Sequence, residues 1–213
     1  MPRPSGDHEP SVTTPGTGGH YFDTSPSSGS RPSTVRLDLP DRSLVLRTDR
    51  GVFSPDRIDP GTKLLLQELP ELTAAPVLDL GCGYGPIACT VALRHPGRQV
   101  VAVDVNERAR QLCASNATAL GADVTVLSPE QAELDVATVG TIVSNPPIRI
   151  GKPALHRLLT TWLDRLEPDG VAHLVVHKHL GADSLARWLG ERGHAVERRR
   201  SRQGYRVLQV EPR

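Results

Sequence analysis

The chain has 213 residues and a formal net charge of +1, which allows one sizeable domain with an appendage and excludes a global basic field as a sign of a nucleic-acid partner. Of its 25 basic residues only Lys63, Lys152 and Lys178 are lysines, so arginine abundance reflects compositional bias more than recognition. The three cysteines form no close pair, no apolar run reaches the roughly 18 residues a membrane helix needs, and the N-terminus has no apolar leader. A soluble, cytoplasmic protein with no metal and no membrane partner is therefore expected.

Residues 1–33 are dominated by Pro, Gly, Ser and Thr and read as a disordered tail, because so few aliphatic side chains cannot offset the entropy of ordering. Within it, His20-Tyr21-Phe22 is either a docking point on the domain or a substrate contact. Residues 34–213 read as a single domain that opens with a hairpin and lid segment over 34–58. Alternation over 34–39 and 44–48 about Pro40-Asp41 marks the hairpin. Phe53, one of two phenylalanines, is either a pocket wall or a hairpin plug. Asp59, followed by Pro60, is an N-cap leading into a helix over 63–69.

The stretch Val77-Leu78-Asp79-Leu80-Gly81-Cys82-Gly83-Tyr84-Gly85-Pro86 reads as a buried strand, a tight glycine turn and a helix start. It lacks the Gly-Lys-Ser/Thr of a phosphate-gripping loop, and Pro86 stands where a dinucleotide fingerprint needs glycine. A second strand over 98–104 also ends in an acid, Asp104, placed either to accept the hydroxyls of a ribose or to cap the next helix. Together they describe a nucleoside site without a phosphate clamp. This pattern resembles the class I S-adenosylmethionine-dependent methyltransferases, whose cofactor carries an ammonium, a carboxylate and a sulfonium. The resemblance implies that Gly81, Cys82, Gly83, Gly85, Asp104, Val105, Ser128 and Asn145 contact S-adenosylmethionine. Asp79 either meets its ammonium or braces its own loop.

Farther on, helices over 87–94 and 106–120 alternate with strands over 124–127 and 141–144, the signature of a parallel sheet with helices on both faces. Ser144-Asn145-Pro146-Pro147-Ile148 follows the last of these strands, and its prolines lock the backbone as it leaves the sheet. The Asn145 and Pro146 carbonyls are two fixed acceptors, suited to an amine with two hydrogens. The segment resembles the Asn-Pro-Pro-aromatic motif of methyltransferases that modify exocyclic base amines or side-chain amides. More narrowly, residues 51–54, 59–66, 77–87, 104–107 and 144–151 resemble the small-domain ribosomal RNA guanine-N2 methyltransferases.

That resemblance implies an enzyme acting on RNA, with Asn145 and Pro146 catalytic and Phe53, Pro147, Ile148, Arg149 and Lys178 toward the substrate. The sequence departs from the family at Ile148, where an aromatic often stacks on the base. It departs again at Ser128-Pro129, where an acid often stands, leaving Ser128 or Glu130 as substitutes, and in lacking a second, degenerate domain copy. Methylation of a small metabolite or a protein amide is the alternative, and a non-catalytic cofactor- or RNA-binding module the next.

The remainder reads as a helix over 155–166, a turn over 167–170, a strand over 171–176, a helix over 184–192 and a terminal hairpin of 194–200 with 205–210. His173, His177 and His179 share one parity without a fourth ligand, and His177-Lys178-His179 at the strand end are placed to meet a phosphate or a base. Arg198, Arg199, Arg200 and Arg202 either contact RNA or solvate a sheet edge. The expected fold is a Rossmann-like class I methyltransferase, with a mostly parallel seven-stranded sheet ending in an antiparallel hairpin and helices on both faces.

Overall fold

A computed structural model describes residues 29–72 and 76–213, so the readings of the tail up to residue 28, His20-Tyr21-Phe22 among them, lie outside the described residues. The chain begins with an antiparallel hairpin, β1 (Ser33–Asp38) and β2 (Ser43–Thr48), which forms its own two-stranded sheet. Then follow α1 (Pro60–Glu68), β3 (Val77–Leu80), α2 (Pro86–Arg94), β4 (Val100–Val103), α3 (Glu107–Leu120), β5 (Thr125–Leu127) and α4 (Pro129–Asp135). The second half contains β6 (Val139–Ser144), α5 (Lys152–Leu163), β7 (Leu166–His177), α6 (Ala182–Glu191), β8 (Ala195–Arg202) and β9 (Tyr205–Glu211).

The main sheet has seven strands in the order β5-β4-β3-β6-β7-β9-β8. Strands β3 to β7 run parallel, and β9 inserts antiparallel between β7 and β8, as the expected fold requires. Every residue of β3 and β4 is buried because helices cover both faces. Val77, Val100 and Ala102 face the layer of α1, α2 and α3, whereas Leu78, Leu80, Val101 and Val103 face the layer of α5 and α6. Each such valine or leucine taken fully from water contributes about 1.5–3 kcal/mol. The two-sided burial explains why these strands read as continuous apolar runs rather than alternating ones.

The strand order reverses between β3 and β6, which lie side by side. In open sheets of this kind, the crevice outside the carboxyl ends at that reversal is where ligands bind. Here it joins the glycine turn after β3 to the Asn-Pro-Pro segment after β6. The Ser144 hydroxyl donates to the Leu80 carbonyl at 2.5 Å, fastening the two strand ends directly.

Three differences from the sequence reading stand out. Ser30 and Arg31 are anchored by the Asp49 carboxylate, and Ser33 already belongs to β1, so order begins before residue 34. The residues expected as a turn over 167–170 lie inside β7, where the register slips opposite Val139 and Thr141. A Cβ on Gly170 would stand 2.9 Å from the Glu167 carbonyl and 3.0 Å from that of Gly140, so glycine permits this bulge. Third, α4 falls on residues for which the sequence reading named no element. Its start is a capping box between Ser128 and Gln131 with proline at the first helical position, a signal present in the sequence. Among the described residues, no helix is long and apolar enough to cross a membrane.

Candidate active site

The carboxyl ends of β3, β4 and β6 open into a cavity of about 430 Å³, within the range of small-molecule sites. One wall is the glycine turn. Gly81, Gly83 and Gly85 have φ of 80°, 56° and 92°, left-handed values that other residues adopt only at a cost. Gly81 and Gly83 line the cavity. A Cβ on Gly81 would stand 3.5 Å from Pro147 Cδ and 4.0 Å from the Asn145 carbonyl, inside the gap between the two motifs.

The turn's amides explain what it can hold. Gly81 and Cys82 N–H both donate to the Val103 carbonyl, at 2.8 and 3.0 Å, and Gly83 N–H donates to Asp104 Oδ2 at 2.9 Å. These donors are committed inward, so they form no nest for a phosphate. Asp104 also accepts from Asn106 N–H at 2.9 Å through its other oxygen. A carboxylate has about four acceptor sites, so lone pairs remain for a diol. Asp104 and Val105 line the cavity, Val105 being 42% exposed. A backbone wall without free amides over 81–83, ending in a carboxylate, fits S-adenosylmethionine and disfavours a nucleotide phosphate.

Other expected cofactor residues stand behind this wall. Asp79 is 1% exposed and does not line the cavity; its Oδ2 accepts from Ala88 N–H of α2 at 2.9 Å, and its Oδ1 has no partner among the described residues. Burial pushes its carboxyl up to about 8. Cys82 is likewise buried, and Gly85 is packed on Cys113 and Cys89, where a Cβ would lie 2.8 and 3.3 Å from their sulfurs. Ser128 spends its hydroxyl in the α4 cap; its neighbours Pro129 and Glu133 line the cavity, while Glu130 is exposed outside it.

The opposite wall carries the Asn-Pro-Pro motif. Asn145, Pro146, Pro147, Ile148 and Arg149 all line the cavity. Ile148 N–H donates to the Pro146 carbonyl at 2.8 Å around Pro147, whose φ of −75° and ψ of 70° make an inverse γ-turn. That carbonyl keeps one lone pair. Ile148 also packs against the core layer of α5. Asn145 Nδ2 donates to Asp59 Oδ1 at 2.8 Å and to Thr62 Oγ1 at 3.0 Å, so its amino group is spent on the start of α1.

Asp59 and Tyr205 were missed as site residues. Asp59 caps α1 as expected, accepting from Thr62 N–H at 2.9 Å, yet it also lines the cavity and accepts from the Tyr205 hydroxyl at 3.1 Å. Burial and Asp59 raise the Tyr205 phenol to about 12, so it stays a donor. An N-cap signal conceals a second use of the same carboxylate, and nothing in the local sequence of Tyr205 points to residue 59.

Phe53 forms part of the cavity wall at 38% exposure, and Arg157, His177 and Leu180 continue the rim. Lys178 and His179 are exposed beside the rim but do not line it. Of the arginines on β8, Arg198, Arg199 and Arg200 pair with Asp183, Glu197 and Glu68 on a solvated edge strand. The segment over 34–58 is fastened to the domain by Asn116, which bonds the Arg47 backbone and the Tyr84 carbonyl, and by Asn106 Nδ2 on the Gly51 carbonyl.

Comparison with known proteins bears on the family and the fold. The chain is 33% identical over 198 residues to the uncharacterized protein YbxB of Bacillus subtilis (strain 168), covering 90% of this chain and 97% of that one. It is 33% identical over 173 residues to ribosomal RNA small subunit methyltransferase C of Shewanella amazonensis, covering 79% of this chain and 50% of that one. Thus it spans about half the length of the latter relatives. The 16S rRNA N2 methyltransferase RsmC of T. thermophilus, solved with AdoMet and guanosine, superposes with a TM-score of 0.72 at 26% identity, over 88% of this chain and 52% of that one. Residues 43–209 match the family described as Methyltransferase small domain, and the chain therefore belongs to that family of S-adenosylmethionine-dependent methyltransferases.

Proposed function

We propose that the chain methylates the exocyclic N2 amine of a guanine in ribosomal RNA. The observation that carries this reading is the orientation of Asn145. Its amino group is held by Asp59 and Thr62, which leaves Oδ1 as an acceptor beside the Pro146 carbonyl. Two acceptors at a cavity wall suit a group with two N–H donors. The ribosomal RNA methyltransferases among its relatives, and the guanosine in the T. thermophilus structure, support guanine as the acceptor. Arg149 and Arg157 on the rim, with Lys178 beside it, supply positive charge for a polynucleotide backbone.

In this reading Gly81, Gly83, Asp104 and Val105 hold S-adenosylmethionine, while Asp79, Cys82 and Gly85 support the turn from behind. When bound, the cofactor supplies an electrophilic methyl group. The protein's task is to present a poor nucleophile, because the lone pair of a base amine is delocalised into its ring. Asn145 Oδ1 and the Pro146 carbonyl favour a pyramidal nitrogen and stabilise the positive charge that develops on it. No strong base is needed, since the methylated nitrogen is acidic enough to release its proton to water. Fixing the reacting groups in place supplies up to ~7–11 kcal/mol, so positioning outweighs proton transfer. Pro147, Ile148 and Phe53 enclose the base.

The test is transfer of a labelled methyl group to small ribosomal subunits, naked ribosomal RNA, protein and small-molecule pools, followed by nucleoside mass analysis. N2-methylguanosine in the RNA is the expected product. Label confined to protein or to small molecules would overturn the assignment.

A further inference from the structure

We infer that Asp59 is the positioning residue that sets the Asn145 amide, and that Tyr205 holds Asp59 in that role. The inference rests on the proposed amine acceptor. An amide side chain has an acceptor end and a donor end of nearly equal shape, and only one orientation can receive a substrate amine. Asp59 breaks this symmetry because its carboxylate accepts and cannot donate. Turning the amide over would set Asn145 Oδ1 against Asp59 Oδ1, at the 2.8 Å now occupied by a hydrogen bond. Thr62 Oγ1, 3.0 Å from the same nitrogen, takes its other hydrogen.

Capping alone does not call for an aspartate here. In this same chain Ser128 caps α4 and Asn106 caps α3. What aspartate adds is reach and a second oxygen. Oδ1 serves both the helix cap and Asn145, while Oδ2 receives the Tyr205 hydroxyl. The Tyr205 ring is fixed in turn. It packs so closely on Gly61 that a Cβ there would fall 2.5 Å from two ring carbons, and it meets the His177 ring edge-on at a centroid distance of 4.8 Å. A network spanning 146 residues thus closes on one amide. The Asp59 charge also polarises that amide and strengthens Oδ1 as an acceptor for an amine that becomes positive.

Asp59→Ser separates the two roles, since serine still caps α1 but is too short to reach Asn145. Expected are near-wild-type melting and S-adenosylmethionine affinity by calorimetry, an unchanged KM for RNA, and a kcat about 10²-fold lower. Asp59→Asn, whose oxygen stays on the Asn145 side because Thr62 N–H donates to it and whose amino group then meets the Tyr205 hydroxyl, should recover turnover to within about tenfold of wild type. The Asn145 side-chain amide, assigned in an NMR spectrum by its loss in Asn145→Asp, should be protected from hydrogen exchange in wild type and Asp59→Asn and unprotected in Asp59→Ser. Turnover within twofold of wild type in Asp59→Ser, an Asn variant as slow as the Ser variant, or losses of cofactor affinity and melting that match the loss of rate would each overturn the inference. Should Asp59→Ser fail to fold, Tyr205→Phe leaves the cap intact and is read in the same way. A wild-type enzyme silent on every RNA would overturn the proposed function instead, and the amide exchange would still decide the orientation.

Discussion

The two walls of the cavity are built by different means. The glycine-turn wall is local. Gly81, Gly83 and Asp104 come from the ends of neighbouring strands, and their bonds are mostly backbone to backbone or backbone to carboxylate. The Asn-Pro-Pro wall is assembled from afar, with Asn145 after β6, Asp59 before α1 and Tyr205 at the start of β9. A local wall tolerates side-chain change and fails through its backbone; an assembled wall keeps its backbone and fails through one side chain.

The sharpest test of that contrast is Asn145→Ala. S-adenosylmethionine affinity should stay within about threefold while kcat falls ~10²–10³-fold, the cost of losing one donor or acceptor aimed at developing charge. Near-normal turnover would break the division between the walls. Gly85→Ala addresses the other side. Its φ of 92° and the 2.8 Å approach to Cys113 Sγ predict a loss of about 1–3 kcal/mol in denaturant unfolding, with cofactor affinity falling alongside it.

Asp79→Asn decides what the buried acid does. Wild-type Asp79 titrates near 8 when folded and near 3.8 when unfolded, so the folded state binds more protons between those values. Its favourable contribution is complete below the unfolded value and is lost as pH rises through the folded one. Stability should therefore decline across about pH 4–8, and the asparagine variant should lack this slope in melting curves. Its S-adenosylmethionine affinity should remain within about threefold if the acid braces the turn; a loss of tenfold or more would place the carboxyl against the cofactor ammonium. The smallest expected effect is that of Arg149→Ala, which should lower the slope of log affinity for RNA against log salt by about one and leave cofactor binding unchanged.

How much of this was legible follows from the range of the interactions. Alternation, glycine turns and caps are decided within a few residues, so the hairpin, the strands carrying Leu78 and Val101, and the turn at Gly81 could be read directly. The α4 cap was equally local, and Ser128-x-x-Gln131 was overlooked beside Pro129. The bulge in β7 was not readable, because Gly170 is placed by its partner strand.

By itself the sequence determined the architecture, the tight glycine turn after β3 and the presence of a rigid Asn-Pro-Pro loop after β6. Those depend on backbone conformation and on burial periodicity, both written in neighbouring residues. Only the tertiary structure decided that Asp79 stands behind the turn, that Asp59 is more than a helix cap, and which way the Asn145 amide faces. An amide is nearly symmetric in shape, and its orientation is chosen by the hydrogen-bond partners that folding brings to it from the two ends of the domain.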